Sequence, residues 1–346
     1  MPSMRSASAC PVGRFGRCAT SSREDRAWRR EDAIRFLRRV RERESMRGLI
    51  AGTCIVSDSR ECQTAQERHG GTRMDIRYAG EGSVPEVAIE RARAGWGVAV
   101  VNAASAYRVG GGFLSGGRHA LEEALCAQST LYPSLEAAAR QACAKHILDS
   151  RYAHPNIPED GVVFSPGVEM LREQAGDGYR DLPNPVKLVA VVSVAMPNRN
   201  CEDPISPVDR LDGDEYRALL GRKFRALLSA VAQSKADVLV MPDVGCGVFR
   251  NKPGEVGELF GAALLAHGRE GMQVECAGSR EFFEAAAASA SSHTPARRRC
   301  DTRSRSLAAG HGRGHLPPPR AGGSCPWAAS PSLSERRALM HPGPRI

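Results

Sequence analysis

Short apolar runs of strand length alternate with helical segments through the middle of this 346-residue chain. Residues 98–101 and 238–241 are fully apolar, and residues 186–194 form the longest run, apolar except for Lys187 and Ser193. Runs of this kind are typical of strands covered on both faces by helices. Their alternation with helices predicts an α/β fold, a three-layer α/β/α sandwich around a mixed, mostly parallel sheet.

Charge separates the two ends of the chain from its middle. Residues 1–50 carry 13 Lys and Arg against 6 Asp and Glu, and residues 286–346 carry 10 against 2. Because the whole chain has a net charge of +9, residues 51–285 carry −6. A fold that binds nucleic acid carries its basic patch on the folded domain. The distribution therefore argues against that class of protein.

The ends also differ from the middle in pattern. Residues 1–71 are expected to be a basic, largely disordered extension with one amphipathic helix over residues 32–44. From residue 286 the composition shifts to Ala, Ser, Arg and Pro, which predicts a disordered basic tail over 286–346. The folded domain is expected at residues 72–285.

The cysteines and the hydropathy bear on the cellular location of the chain. Its 11 cysteines include no Cys-x-x-Cys pair and no Cys/His cluster at zinc spacing, so free thiols and no metal site are expected. No apolar run approaches the roughly 18 residues of a membrane-spanning helix. The sequence favours an intracellular location, cytoplasmic or nuclear, without a membrane partner, and it selects no organelle.

Two glycine loops follow strand-like runs. The first contains Gly110, Gly111 and Gly112, and the second spans residues 245–249. Ligands of open α/β sheets bind at the carboxyl ends of strands, and glycine amides can approach an anion closely. Neither loop has the phosphate-binding P-loop or the Rossmann pattern. Together the loops predict a different kind of diphosphate site.

A pair of carboxylates, Glu122 and Glu123, begins the helix after the first loop. Acids in a first helical turn also complement the helix dipole, so the pair alone does not define a site. Beside a phosphate loop, however, the pair can hold an acid next to a sugar. One glutamate is expected to face the ligand while its neighbour points about 100° away around the helix.

Four blocks then occur in one order along the chain. They are residues 102–135 (NAASAYRVGGGFLSGGRHALEEALCAQSTLYPSL), 165–168 (SPGV) with Arg172, 195–198 (AMPN) and 245–251 (GCGVFRN). The combination resembles the microbial-type poly(ADP-ribose) glycohydrolases, which have a macrodomain fold. The resemblance spans roughly residues 72–283 and implies that those residues form a macrodomain-like catalytic domain.

The resemblance implies an activity and residue roles. The activity is hydrolysis of the ribose–ribose O-glycosidic bond of poly(ADP-ribose) to ADP-ribose, with Glu123 as catalytic acid/base and Glu122 orienting the ribose. No cofactor is implied. Such an acid needs a raised pKa, which we expect for Glu123 only when bound substrate desolvates it. The residues expected to bind substrate are Asn102, Ser105, Gly110, Gly111, Gly112, Gly245, Cys246, Gly247, Val248 and Phe249.

One departure keeps two alternatives open. Leu121 stands where the family has a glutamine before its two glutamates, and loss of that glutamine would weaken turnover while sparing binding. The alternatives are a non-catalytic ADP-ribose-binding macrodomain, a reader, and a hydrolase of mono-ADP-ribosylated proteins. The expected partners are poly(ADP-ribose) or ADP-ribose, ADP-ribosylated proteins, and a weak polyanion contact through the basic tails.

Overall fold

The computed structural model describes residues 23–57, 74–117, 120–144, 156–176, 178–202 and 206–291. The strands in these ranges are β1 (Cys54–Ser57), β2 (Asp75–Gly80), β3 (Val98–Ala103), β4 (Gly161–Pro166), β5 (Glu169–Ala175), β6 (Gly178–Lys187), β7 (Ala190–Val194), β8 (Val238–Pro242) and β9 (Gln273–Ala277). The helices are α1 (Arg23–Arg41), α2 (Met46–Gly52), α3 (Val84–Arg93), α4 (Leu121–Gln128), α5 (Leu131–Ala144), α6 (Gly213–Ser234), α7 (Pro253–His267) and α8 (Arg280–Ser291).

The described strands form a seven-stranded sheet in the order β1-β4-β7-β3-β8-β9-β2, and β5 and β6 form a separate hairpin. Five strands of this sheet run parallel to one another, namely β7, β3, β8, β9 and β2. Strands β4 and β1 join one edge antiparallel. The predicted mixed, mostly parallel sheet is confirmed.

Successive residues of the central strand β3 point into two different cores. Val98 and Val100 belong to one hydrophobic cluster, and Ala99 and Val101 belong to the other, because side chains alternate across a strand. Residues of α1 to α5 fill the first cluster, and residues of α6 to α8 fill the second. The three-layer α/β/α sandwich is therefore confirmed.

The apolar run at residues 186–194 is not one strand. Its first residues end β6 in the hairpin, and its last five form β7 in the main sheet. Between them, the N–H of Leu188 donates to the carbonyl of Val168 and the N–H of Val189 donates to the carbonyl of Val98. The chain thus changes partners within a mostly apolar stretch, which hydrophobic periodicity cannot detect.

Within the described ranges, folded elements already occur from Arg23 onward, well before the predicted boundary at residue 72. Helix α1 covers most of the predicted helix at 32–44 and starts nine residues earlier, and its buried side chains include Phe36 and Val40. Strand β1, in a stretch expected to be a loop, pairs with β4. Four residues are too few to show a strand period, so this edge strand had no sequence signal. Residues 1–22 and 58–73 lie outside the described ranges.

Helix α8 continues past the predicted boundary at residue 285. It ends at Ser291, and Ala286 and Ala290 are buried against the second core. Alanine has the highest intrinsic helix propensity, so the alanine-rich composition continues the helix instead of ending the fold. The predicted tail beyond residue 291 lies outside the described ranges.

Two observations concern the state of the cysteines and the search for membrane-spanning helices. The free cysteines are Cys54, Cys126, Cys201, Cys246 and Cys276, whereas Cys143 is disulfide-bonded, which differs from the expectation of free thiols throughout. No helix in the described ranges has both the length and the apolar character to cross a bilayer.

Candidate active site

The first glycine loop has a backbone that only glycine adopts easily. Gly110 and Gly111 have φ angles of +68° and +56°, in the left-handed region that favours glycine. A Cβ at Gly110 would lie 2.6 Å from the ring of Tyr132, and a Cβ at Gly111 would collide with the carboxylate of Glu123. The loop therefore needs glycine so that α4 and α5 can approach its backbone.

Both glutamates of α4 fold back onto this loop. Glu122 Oε2 accepts a hydrogen bond of 2.9 Å from the N–H of Ser105, and Glu123 Oε1 accepts one of 2.6 Å from the N–H of Gly112. A Cβ placed on Gly111 would also come within 3.3 Å of Glu122 Oε2. The two carboxylates thus lie side by side, which differs from the expected 100° separation.

The N–H groups of the three loop glycines face groups inside the protein. Gly111 donates to the carbonyl of Arg108, and Gly112 donates to Glu123. The N–H of Gly110 lies close enough to the Glu122 carboxylate to lower its pKa. The first loop was expected to offer these amides to a diphosphate. In the structure the amides of Gly110 and Gly112 face the carboxylates and the amide of Gly111 is used within the loop, so the loop shapes the acid site.

Three buried oxygens beside the loop have no hydrogen-bond partner among the described residues. They are Glu122 Oε1, Glu123 Oε2 and Asn102 Oδ1. A buried polar atom without a partner costs free energy, and the hydroxyl groups of a sugar could satisfy all three. Within the same ranges, no group of three His, Cys, Asp or Glu side chains could hold a metal ion.

Burial raises the pKa of Glu122 well above its ordinary value. The N–H of Ser105 lowers this pKa in part, and the negative charge of Glu123 raises it further. The side chain is 2% exposed, so the structure favours the protonated, neutral form. We expect bound substrate to raise the pKa of the catalytic acid by desolvation. At Glu122, burial within the fold raises the pKa already in the absence of substrate.

Asn102 and Ser105 support the turn between β3 and the loop. Asn102 is fully buried, and its Nδ2 donates to Ser193 Oγ at 3.0 Å. Ser105 Oγ accepts from the N–H groups of Tyr107 and Arg108 at 3.2 Å each. Ser105 therefore acts mainly through its backbone N–H to Glu122, and Asn102 presents only its Oδ1 without a partner.

The second glycine loop is braced from behind by Asn251. Asn251 Nδ2 donates to the carbonyls of Gly245 at 2.8 Å and Pro197 at 2.9 Å, and its Oδ1 accepts from the Tyr216 hydroxyl at 2.9 Å. The brace ties the loop to the chain after β7 and to α6. Asn251 is the last residue of the 245–251 block, but the sequence alone assigns it no role. Its position directly after the glycine loop was the signal that could have identified it as a support of that loop.

The tip of the second loop presents free backbone donors. The N–H groups of Gly247, Val248 and Phe249 have no hydrogen-bond partner among the described residues, and the Val248 residue is 53% exposed. Its carbonyl is held by Asn200 Nδ2 at 2.9 Å. Burial raises the pKa of the Cys246 thiol, which disfavours the reactive thiolate. The loop therefore offers anion-binding amides rather than a nucleophile.

Helix α1 packs directly on the first glycine loop, a contact that sequence reasoning missed. Arg29 Nε donates to the carbonyl of Gly116 at 2.8 Å. A Cβ on Gly116 would collide with the backbone carbonyl of Arg26. Gly117 in turn lies against Gly112, where an added Cβ would be 3.0 Å from the Gly112 Cα. The N-terminal helix thus supports the loop that orients Glu123.

A buried arginine fixes α1 to the β5–β6 hairpin. Arg172 Nη1 donates to Asp32 at 2.8 Å and its Nε donates to Asp181 at 3.1 Å. Its guanidinium lies 4.0 Å from the ring centroid of Phe36. Arg172 is part of a sequence motif to which no role was assigned, and the structure places it at the attachment of α1.

The packing between α1 and α4 is incomplete. A cavity of about 70 Å³ separates them, with walls that include Trp28 and Ala33 from α1 and Ala124 and Ala127 from α4. Because van der Waals contacts are lost around a void, the attachment of α1 depends more on Arg29 and on the Arg172 contacts.

Comparison with known families adds to this geometry. The family model for the catalytic domain of microbial-type poly(ADP-ribose) glycohydrolase (PARG) matches residues 38–173. The chain resembles the microbial-type PARG catalytic domain. The matched residues include the first glycine loop, both glutamates and Arg172, and they end before the second loop. No curated protein matches the chain.

Solved structures of bacterial PARGs have the same fold. The PARG of Thermomonospora curvata is 26% identical, with a TM-score of 0.60 over 77% of this chain and 99% of that one. Its complex with the inhibitor ADP-HPD gives 27% and 0.58 over the same shares. The PARG of Deinococcus radiodurans with ADP-ribose is 23% identical, with a TM-score of 0.54 over 72% of this chain and 97% of that one. That identity bears on the fold alone.

Leu121 occupies the position before the two glutamates. Its side chain is partly buried against the first hydrophobic core. A glutamine there would place an amide beside the loop, and leucine instead contributes packing. The glutamates keep their contacts with Ser105 and Gly112 without it.

Proposed function

We propose that this chain is a poly(ADP-ribose) glycohydrolase that hydrolyses ribose–ribose O-glycosidic bonds and releases ADP-ribose. The observation that carries this proposal is the pair Glu122 and Glu123. Each carboxylate is fixed through one oxygen to the backbone of the glycine loop, and each has its other oxygen buried without a partner. Similarity to the bacterial enzymes supports the same conclusion.

In the proposed mechanism, Glu123 transfers the protons. Cleavage of a glycosidic bond through an oxocarbenium-like state needs an acid for the leaving hydroxyl and a base for the attacking water. Protonated Glu123 gives its proton to the leaving ribose oxygen, and the resulting carboxylate then takes a proton from water. The N–H of Gly112 fixes one carboxylate oxygen and directs the other toward the substrate.

Glu122 positions the ribose in this mechanism. Its protonated form is favoured by burial, so it can donate a hydrogen bond to a ribose hydroxyl while the N–H of Ser105 holds its second oxygen. A neutral Glu122 also adds no negative charge that would repel a diphosphate.

The diphosphate is proposed to bind the second loop. The backbone N–H groups of Gly247, Val248 and Phe249 are free among the described residues, and donors of this kind bind anions. Gly110, Gly111 and Gly112 act by letting the glutamates approach the loop backbone, and Phe249 packs near the distal ribose. Asn102 Oδ1 is an acceptor for a ribose hydroxyl.

The deciding experiment measures ADP-ribose release from poly(ADP-ribose) by the full-length chain and by Glu123→Gln. Loss of a general acid/base typically costs about 10²–10⁴-fold in rate. We expect a loss of that size with ADP-ribose affinity unchanged, since the amide keeps the contact with Gly112. Tight ADP-ribose binding without release by the unchanged chain would contradict the proposal.

Tight ADP-ribose binding without release would identify a reader, a non-catalytic ADP-ribose-binding macrodomain. Leu121 favours this candidate because it stands in place of the family's glutamine. Mono-ADP-ribosylated protein is a second substrate in the same assay. Release from it alone, with polymer left intact, would identify the mono-ADP-ribosyl hydrolase instead.

A further inference from the structure

Three arginines lie along one flank of α1. At about 100° per residue, Arg23, Arg26 and Arg30 fall within about 60° of one another around the helix axis. All three are exposed. The acids Glu24 and Glu31 lie about 80° or more from the nearest of these arginines. This arginine flank, Arg23, Arg26 and Arg30, therefore carries positive charge alone.

The arginine flank also differs in pairing from most other arginines of α1. Further along the helix, Arg35 pairs with Glu31, Arg39 with Asp181 and Arg41 with Glu136. Within the described part of the chain, the three arginines of the flank have no ion-pair partner. Unpaired charge is thus concentrated at the end of α1 that meets the glycine loop. It lies on a domain whose residues 51–285 carry −6.

The arginine flank borders the catalytic loop. The backbone carbonyl of Arg26 contacts Gly116, and Gly116 and Gly117 pack toward Gly112, whose N–H holds Glu123. Glu123 marks the position of the bond that is cleaved. Substrate that continues past this bond therefore leaves the site beside the glycine loop, where the arginine flank begins.

We infer that Arg23, Arg26 and Arg30 bind a diphosphate of the polymer unit beyond the cleaved bond. This inference rests on the proposed function and names the part of the substrate that the site recognises. Guanidinium groups bind phosphate oxygens in a bidentate manner. The flank extends about 10 Å along the helix at 1.5 Å per residue, which is enough for several contacts with one polymer unit.

The inference predicts a preference for polymer over single ADP-ribose. Free ADP-ribose ends at the cleaved position and does not reach α1, so its affinity is independent of the flank. Exposed charge contacts are individually weak and are screened by salt. Removing two of them should weaken polymer binding by about 5–10-fold at low salt.

The test compares Arg26→Ala/Arg30→Ala with Arg38→Ala in the full-length Glu123→Gln chain. Arg38 is the control, since it is exposed on α1, has no ion-pair partner among the described residues, and lies about 12 Å or more along the helix from Arg30. Polymer and ADP-ribose affinities are measured at low and high salt. We expect the double variant alone to lose polymer affinity, by less at high salt, with ADP-ribose affinity unchanged.

Equal polymer affinity in the double variant and in Arg38→Ala would overturn the inference. Loss of ADP-ribose affinity in parallel would also overturn it, because the arginines would then act on the main pocket. Weaker binding of ADP-ribosylated protein with unchanged binding of free polymer would assign the flank to the carrier protein instead. Since binding is measured in an inactive variant, absence of hydrolysis by the unchanged chain would contradict the proposed activity and leave the polymer contact standing.

Discussion

The burial of Glu122 places a stability cost at the centre of the site. An acid whose pKa is raised by folding holds its proton in the native state at a pH where the unfolded chain has lost it. Between the ordinary and the raised pKa, the native state therefore binds more protons than the unfolded state. The free energy of unfolding falls as the pH rises through that window, which is opposite to the usual behaviour of salt-bridged acids.

Replacing Glu122 with glutamine should remove this cost. We expect Glu122→Gln to unfold at a temperature a few degrees above that of the unchanged chain near pH 7, since about 1 kcal/mol corresponds to about 2–4 °C in a domain of this size. The gain should vanish below about pH 4.5, where the glutamate is protonated in both states. Melting curves from pH 4 to 8 measure it. Glu90→Gln, at an exposed position of α3, is the control, and an equal gain there would contradict the explanation.

Gly111 is the position where a single methyl group should disable the site. In Gly111→Ala the added carbon would occupy the place of the Glu123 carboxylate and would also strain a backbone with φ of +56°. Small displacements of reacting groups can cost about 10²-fold in rate, and we expect a loss of at least that order with about 1 kcal/mol of destabilisation.

Gly213→Ala is the matched control for this prediction. Gly213 begins α6, and an added Cβ there would contact nothing within 4 Å. ADP-ribose release and melting temperature are measured for both variants. Unchanged release by Gly111→Ala would show that the carboxylate does not need the position it occupies.

At the residue scale, the sequence predicted that glycines and glutamates come together in one site, but it did not predict the hydrogen bonds between them. Glu122, Glu123 and the two glycine loops were recognisable because glycine and paired acids at strand ends carry local signals. The orientation of both carboxylates toward the loop was not predictable, since it depends on how α4 packs through Leu125 and Cys126, which are buried in the first core. The same packing brings the carboxylates of the two glutamates to the amides of Gly110 and Gly112.

At the element scale, the attachment of α1 is the feature that most affects the site. Arg172 connects it to the hairpin, Arg29 connects it to Gly116, and the cavity beside α4 leaves few other contacts between α1 and the catalytic helix. A shift of α1 would therefore reach Gly112 and Glu123 through the glycine loop.

Asp32→Asn tests this connection. The amide keeps a hydrogen bond to Arg172 but removes the charge, and we expect a loss of about 1–2 kcal/mol and a several-fold fall in turnover with ADP-ribose affinity retained. Thermal unfolding and steady-state kinetics measure the two effects. Arg180→Ala is the control because it breaks an exposed ion pair with Glu173 on the same hairpin. Destabilisation without any change in turnover would refute the link to the site.

Long helices with a regular apolar stripe are predictable from the sequence. Short strands, and strands that share one apolar run, are not. Helix α6 (Gly213–Ser234) carries such signals, with a regular stripe of buried residues along its length and a capping box between Asp212 and Glu215. Strand β1 has four residues, and β6 contains Pro183 and Pro185. The position of β1 depends on β4, a partner far away in sequence. The prolines of β6 argue against a strand by propensity although it pairs with the neighbouring β5.

At the scale of the whole molecule, the N-terminal segment is part of the core. Phe36, Leu37, Val40, Met46 and Leu49 are all buried. Burying one such side chain stabilises by about 1.5–3 kcal/mol, so the five together are comparable with the entire stability of a typical domain, about 5–15 kcal/mol.

A chain that lacks residues 1–71 should therefore fail to fold cooperatively. It would lose α1, α2 and β1, expose the edge of β4, and leave the first core uncovered. Circular dichroism melts of this truncation and of the full chain test the expectation. Phe36→Ala in the full chain is the graded comparison, with an expected cost of about 3–5 kcal/mol. A cooperative melt of the truncation would show that the fold begins near residue 72 after all.

The donors that hold Glu122 and Glu123 belong to the main chain, at Ser105 and Gly112. No substitution of a neighbouring side chain can delete such a donor, so the requirement placed on the loop is the absence of side chains rather than the presence of particular ones. A catalytic centre built in this way can survive extensive sequence drift around it. It can also accommodate an apolar residue such as Leu121 beside its acids, as long as the glycines and the two carboxylates are retained.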